Sequence, residues 1–123
     1  MSVPVLYLAH PVGASTPNGV AADLSSARGW LKALIDGCPN VALCVSWLPY
    51  LDVLEDSGAN HERGLRDDCE MVRRCDAMLM VGHRVSDGMR REAAAAVAAC
   101  LAVIDCTGLE PSEVIRIVNE RCP

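Results

Sequence analysis

Asp87 and Glu92 are the first residues whose types and spacing could do chemistry. The turn Ser86-Asp87-Gly88 is typical of the start of a helix, and Glu92 would lie about one turn inside that helix. Because helical side chains lean toward the N-terminus, the Glu92 carboxylate would point toward a pocket at that end. The positive helix end, Arg90 and Arg91 would favour its ionised form, which a nucleophile needs at an anomeric carbon. Alternatively, Asp87 is only a helix cap and Glu92 is a solvated or ion-paired side chain.

Tyr7 and the adjacent acids Asp67 and Asp68 are further candidates. Tyr7 lies within an apolar run, residues 3–9, so its buried hydroxyl must bond a backbone group or orient a nearby carboxylate. A helix through Asp67 and Asp68 would turn one of them toward the sheet edge. Burial and repulsion there could raise its pKa for general acid chemistry. The alternative is that both acids are solvated charges on a helix face.

Other enzymatic signatures are absent from the sequence. There is no phosphate loop of the form GxxxxGK[ST], no GxGxxG and no GxSxG elbow. The seven cysteines include no CxxC pair, and pairs six residues apart would diverge around a helix. We therefore predict reduced thiols, no metal site and no cofactor. His10 and His83 each follow a predicted strand and could bind a phosphate or a base.

Composition and charge exclude several classes of partner. The chain has 11 Lys plus Arg against 16 Asp plus Glu, a formal net charge of −5, so nothing suggests binding to nucleic acid or an anionic membrane. Aromatic residues make up 3% of the chain and Phe is absent, which removes most stacking platforms for single strands. We expect a small-molecule ligand. With no apolar run of membrane-spanning length and no basic leader at the N-terminus, we also expect a cytoplasmic protein.

Strands and helices alternate along the chain. Short apolar runs predict strands over residues 3–9, 41–47, 77–81 and 101–106. Helical spacing predicts a helix from Ser15-Thr16-Pro17 to residue 37, and further helices over 61–74, 89–100 and 111–121. Residues 48–60 have no clear period and are predicted to form a functional loop.

This alternation predicts an α/β fold. We expect residues 1–123 to form a single doubly wound domain, with a mainly parallel sheet of four to five strands and helices on both faces. Residues 3–9 are predicted to form the central strand. In such a sheet the ligand binds beyond the carboxyl ends of the strands, where the strand order reverses.

Five short motifs occur in the order and at the spacing of one enzyme superfamily. They are Leu6-Tyr7-Leu8-Ala9-His10-Pro11, Ser46-Trp47-Leu48-Pro49, Arg66-Asp67-Asp68, Cys75-Asp76-Ala77 and Asp87-Gly88-(x)3-Glu92-(x)3-Ala96. Together they resemble the nucleoside 2-deoxyribosyltransferase superfamily over roughly residues 5–106.

The resemblance implies a flavodoxin-like or Rossmann-like sheet that cleaves the N-glycosidic bond of a (deoxy)nucleoside or nucleoside 5′-monophosphate. Glu92 would attack C1′ of the sugar, and Tyr7 would hold Glu92. Asp87 would bind the sugar or help to protonate the departing base, while Asp68 would contact the base or a sugar hydroxyl. Water as acceptor makes a hydrolase and a second base makes a transferase, with two carboxyl groups dividing the work.

The resemblance also suggests a set of substrate-binding residues and an oligomeric state. The expected substrate-binding residues are Asp68, His10, Pro11, Gly13, Trp47, His83, Ser86, Gly88 and Met89. The superfamily is usually oligomeric, so we expect a homo-oligomer, a dimer or higher, in which the alanine-rich helix is a plausible interface.

The sequence departs from the superfamily pattern at Met89, where Thr is usual, and at Ala94, where Gly is usual. These departures leave open a non-catalytic nucleotide-binding or sensor module. A glycohydrolase acting on NAD or a signalling nucleotide is another alternative. Arg84, Arg90 and Arg91 near the turn would suit a 5′-phosphate, or they are surface charges.

Overall fold

A four-stranded parallel sheet forms the centre of the fold. The computed structural model describes residues 2–13, 17–55 and 57–123. The strands are β1 (Val5–Ala9), β2 (Ala42–Cys44), β3 (Ala77–Met80) and β4 (Ala102–Asp105). They lie in the order β2-β1-β3-β4, and every pairing is parallel. This confirms the predicted α/β class and the interior position of β1. The chain passes from β1 to β2 on one side and then crosses back to β3 on the other side of β1. The strand order therefore reverses between β1 and β3, and their carboxyl ends flank the crevice where ligands bind in such folds.

Helices cover both faces of the sheet, as predicted. They are α1 (Pro17–Gly37), α2 (Trp47–Val53), α3 (Gly58–Arg73), α4 (Asp87–Ala98) and α5 (Pro111–Arg121). The start signal predicted at Ser15 and Thr16 lies outside the described residues. None of the helices in the described part of the chain is long and apolar enough to cross a membrane.

Successive residues of β1 enter two different apolar layers. Leu6 and Leu8 pack with residues of α1 and α5, whereas Tyr7 and Ala9 pack on the other face with residues of α3 and α4. The alternation follows from the pleat of a strand, in which neighbouring side chains point to opposite faces. It places the only polar side chain of β1, the phenol of Tyr7, beneath α3 and α4.

The predicted loop over residues 48–60 is wrong, because this segment contains α2 and the first turn of α3. The predicted second strand is correspondingly too long, since Trp47 begins α2 and its indole Nε1 donates to the Leu8 carbonyl at 2.8 Å. Pro49 falls in the first turn of α2, where a missing N–H costs no helical hydrogen bond. Ser57 caps α3 by accepting the Asn60 N–H at 3.1 Å.

A tight turn after β3 holds the start of α4 against the end of β1. Gly82 has a φ of +106°, and a Cβ there would lie 2.7 Å from Cδ of Pro11. The Gly82 carbonyl accepts the Gly108 N–H at 2.8 Å, which joins the turns after β3 and β4. Only glycine fits both the positive φ and the close approach.

Candidate active site

A cavity of about 500 Å³ opens at the carboxyl edge of the sheet, between α1, α2, α3 and the start of α4. Its position is the one expected for a ligand site in a doubly wound sheet. Seven of the residues predicted from the sequence line it: His10, Gly13, Trp47, Asp68, Ser86, Gly88 and Glu92.

Two buried carboxyl groups, Glu92 from α4 and Asp68 from α3, face this cavity. Glu92 is 6% exposed and Asp68 is 9% exposed. Burial raises the pKa of Glu92 to about 7, and the negative charge of Asp68 adds to the effect. Burial likewise raises the pKa of Asp68 to about 6, against a hydrogen bond from Ser46 Oγ at 3.4 Å that lowers it. Near neutral pH the carboxyl groups of Glu92 and Asp68 are therefore able to carry one proton between them.

The hydroxyl of Tyr7 lies behind this pair. Tyr7 is fully buried, and its hydroxyl has no hydrogen-bond partner of good geometry among the described residues. Burial raises the pKa of this phenol far above its usual range, and the negative charges of Glu92 and then Asp68 raise it further. The phenol is thus neutral, with an O–H that is free to donate to either carboxylate after a small movement.

Asp67 and Asp68, adjacent on α3, have opposite environments. Asp67 accepts hydrogen bonds from Tyr50 Oη at 2.8 Å, Arg63 Nε at 2.9 Å and Arg66 Nη2 at 2.8 Å. The bonds from Arg63 and Tyr50 hold its pKa well below the usual range. Asp68 is the member of the pair that turns to the cavity, while Asp67 attaches α2 to the surface of α3.

Asp87 is placed differently from the sequence expectation. Its side chain is 98% exposed, pairs with Arg90 at 2.8 Å and lies outside the lining formed by the described residues. Arg91 pairs with Glu62 at 3.2 Å. Both arginines are therefore committed to other carboxylates, and the expectation that they would keep Glu92 ionised is wrong. Burial, which favours the protonated form, dominates at Glu92.

Three predicted substrate-binding residues also lie away from the described lining of the cavity. Pro11 is fully buried and packs against Gly82, and His83 is exposed. Met89 is 1% exposed, because the third residue of α4 turns toward the apolar layer beneath the helix. There Met89 and Ser86 complete a cap: the Ser86 Oγ accepts the Met89 N–H at 3.3 Å.

His10 is a neutral cavity residue with both ring nitrogens occupied. Its Nδ1 lies 2.8 Å from the Pro11 carbonyl, which can only accept, so Nε2 is left to accept from Ser26 Oγ at 2.9 Å. Burial lowers the pKa of His10, in keeping with the neutral form. Across the described ranges no group of three or more His, Cys, Asp or Glu side chains could hold a metal ion.

The sequence analysis missed Ser46 and the contribution of α2 and α3 to the cavity wall. The additional lining residues from these helices include Tyr50, Leu51, Leu54, Asn60 and His61. A signal was present, since Trp47, Leu51 and Leu54 are spaced i, i+4, i+7 on one helical face. Pro49 and the acidic residues around it concealed that period. Ser46 stands first in one of the five motifs, but nothing in the sequence paired it with Asp68, which is 22 residues away.

The fold and the cavity define a doubly wound α/β protein with two buried carboxyl groups at the carboxyl edge of its sheet. The chain belongs to the family described as "Domain of unknown function (DUF7768)", which matches residues 5–105. Among solved structures it is similar to the 2-deoxyribosyltransferase of the psychrotolerant bacterium Bacillus psychrosaccharolyticus. The two share 19% identity with a TM-score of 0.53, over 90% of this chain and 79% of that one. At this identity the similarity shows a common fold. Among curated protein sequences, none matches this chain.

Proposed function

We propose that this protein cleaves the N-glycosidic bond of a nucleoside or nucleoside 5′-monophosphate through Glu92, with water or a second base as acceptor. The observation that carries the proposal is the pair of buried carboxyl groups, Glu92 and Asp68, at one cavity with the Tyr7 hydroxyl behind them. The fold shared with a 2-deoxyribosyltransferase supports the same class of chemistry.

In the first step, Glu92 acts as the nucleophile and Asp68 as the acid. The Glu92 carboxylate attacks C1′, the bond from C1′ to the base nitrogen breaks, and the bonding pair leaves with the base. Asp68 gives its proton to the departing base. We assign this proton to Asp68 rather than to Asp87, because Asp87 is exposed and bonded to Arg90. After a small movement the Tyr7 hydroxyl donates a hydrogen bond to the attacking carboxylate, which orients it and favours its ionised form against the effect of burial.

In the second step, the glycosyl ester on Glu92 is resolved. A water molecule or a second base attacks C1′, the ester bond breaks, and the Glu92 carboxylate is regenerated. The Asp68 carboxylate accepts the proton that the attacking group loses, which restores the starting state. Two displacements at C1′ retain the configuration of the sugar.

The departures from the superfamily pattern do not alter the described lining of the cavity. Met89 lies in the apolar layer below α4, and Ala94 is exposed on its outer surface. The two residues that favoured a non-catalytic module therefore lie away from the cavity, whereas Glu92 and Asp68 face it.

The test is release of free base from a panel of ribonucleosides, deoxyribonucleosides and their 5′-monophosphates, with and without an added base. We expect Glu92→Gln to lower turnover by about a thousandfold or more. Glu62→Gln makes the same chemical change on an exposed residue and is expected to keep wild-type turnover. Equal base release by Glu92→Gln would refute the nucleophile assignment. Ligand binding without any turnover would support the non-catalytic module.

A further inference from the structure

The described lining of the cavity carries several acidic side chains, and two histidines, His10 and His61, are its only basic side chains. Its described lining includes Glu55, Asp68 and Glu92, and no Lys or Arg. The residues outside the described ranges are Met1, Ala14, Ser15, Thr16 and Asp56. None of these is a Lys or Arg, so these residues add no cationic side chain to the lining.

The three arginines nearest in sequence to the α4 turn are bound elsewhere. Arg84 Nη2 lies 2.9 Å from Oδ2 of the buried Asp23, where it attaches the β3–α4 turn to α1. As described above, Arg90 pairs with Asp87 and Arg91 with Glu62. Moving Arg84 toward a phosphate would leave the Asp23 carboxylate buried without its partner, which is costly.

Several N–H donors at the cavity are also in use. The Trp47 indole donates to the Leu8 carbonyl, and His10 has both ring nitrogens bonded. At the start of α4, the Ser86 hydroxyl already accepts the Met89 N–H, and Asp87 places a negative charge in the first turn. The free N–H groups and the positive potential that often attract a phosphate to the start of a helix are therefore reduced at α4.

From this distribution of charge we propose that the site takes a nucleoside without a 5′-phosphate and discriminates against the corresponding 5′-monophosphate. The inference rests on the proposed function and selects between its two substrate classes. A phosphate dianion needs cationic partners when it leaves water, and here it would meet carboxylates instead. The same reasoning disfavours NAD and other substrates that carry a pyrophosphate.

The experiment compares a purine deoxyribonucleoside with its own 5′-monophosphate, first by kcat/KM and then by calorimetric binding to Glu92→Gln. We expect the nucleoside to be preferred by roughly tenfold or more at low salt, and the preference to shrink as salt screens the repulsion. Leu51→Arg, which adds a cation to a partly exposed lining residue, should narrow the preference. Ile35→Arg adds the same charge to an exposed residue outside the described cavity lining and should leave the ratio unchanged.

The outcomes separate this inference from the proposed function. Equal or better turnover of the 5′-monophosphate would overturn the inference while leaving glycosidic cleavage intact. Selective binding of the nucleoside without any cleavage would sustain the inference and contradict the enzymatic proposal. If neither compound bound or reacted, both would be refuted.

Discussion

Glu92 and Asp68 face the same cavity from two different helices, and both carboxyl groups are removed from water. Burial disfavours the charged form of each acid, and the charge of Asp68 makes ionisation of Glu92 less favourable. A pair of this kind can supply one nucleophile and one acid at the same pH, as the proposed reaction requires. Tyr7 and Ser46 are the neutral donors that can stabilise the charged member.

At the residue scale, we predict a bell-shaped dependence of kcat/KM on pH. The reacting form has Glu92 ionised and Asp68 protonated. Because the pKa is about 6 for Asp68 and about 7 for Glu92, this form is the less populated of the two singly protonated forms of the pair. Below pH 6 both acids become protonated and the nucleophile is lost, whereas above pH 7 both ionise and the proton donor is lost. A profile that stays flat from pH 5 to 9, measured by initial rates of base release, would contradict this assignment.

Ser46 provides a second prediction at this scale. It occupies the N-cap position of α2, yet its hydroxyl makes no cap and donates to Asp68 instead. Ser46→Ala should raise the pKa of Asp68 and move the acidic limb of the profile to higher pH. Ser57→Ala removes a true cap, so it should cost about 1 kcal/mol of stability without moving that limb. An unchanged limb in Ser46→Ala would show that this hydrogen bond does not tune the acid.

At the scale of elements, α2 and the turn after β3 decide the shape of the cavity. Trp47 is the one buried residue of α2 within the described structure, and its indole fixes the helix to the end of β1. One turn further along the helix, the hydroxyl of Tyr50 donates to Asp67 on α3. A short helix held by two polar contacts can form part of a binding wall without much core of its own.

The turn after β3 provides a prediction about Gly82. Gly82→Ala should be more destabilising than Gly108→Ala, because both have a positive φ but only the Gly82 Cβ would strike Pro11. We expect about 1 kcal/mol for the strained backbone at either position, and a further 1 to 3 kcal/mol for overpacking at Gly82. Denaturant unfolding of the two variants provides the comparison. Equal losses would mean that Pro11 can move aside freely.

At the scale of the whole molecule, the candidate site reduces the stability of the fold at high pH. In the unfolded chain Glu92 ionises near its ordinary pKa, whereas the folded protein raises that pKa to about 7. The folded state therefore binds the proton more tightly, and stability falls as pH rises through the folded pKa. This loss of stability is complete well above pH 7, and it is absent at pH values well below the ordinary pKa of a glutamate.

We accordingly predict that Glu92→Gln stabilises the protein at pH 8. The gain should be on the order of 2 to 3 kcal/mol there and should vanish near pH 4, because the native acid is then neutral. The melting temperature across this pH range measures the effect, with Glu62→Gln as the control on an exposed acid. A gain that was equal at both pH values would have to come from packing rather than from the buried charge.

Much of the fold could be predicted because its signals are local. The apolar runs and helical periods of neighbouring residues indicated four strands and four of the five helices, and α2 was missed where Pro49 interrupts the pattern. Of the proposed site, Tyr7 and Glu92 were candidates because strand and helix periods place them near one edge of the sheet. The helix period left open which of Asp67 and Asp68 faces that edge, and Asp68 was named only through the resemblance. The rest could not be found this way: Ser46 and Asp68 come from separate elements.

The sequence by itself determined that the sheet is parallel and that acids collect at its carboxyl edge, since both follow from the periodicity of nearby residues. Only the tertiary structure decided that Asp68 faces the cavity while Asp67 and Asp87 face solvent or arginine partners. It also assigned Arg84 to Asp23, 61 residues away. The physical reason is that the rotation of a helix about its axis, and the partner of a charge, depend on contacts between elements distant in the chain.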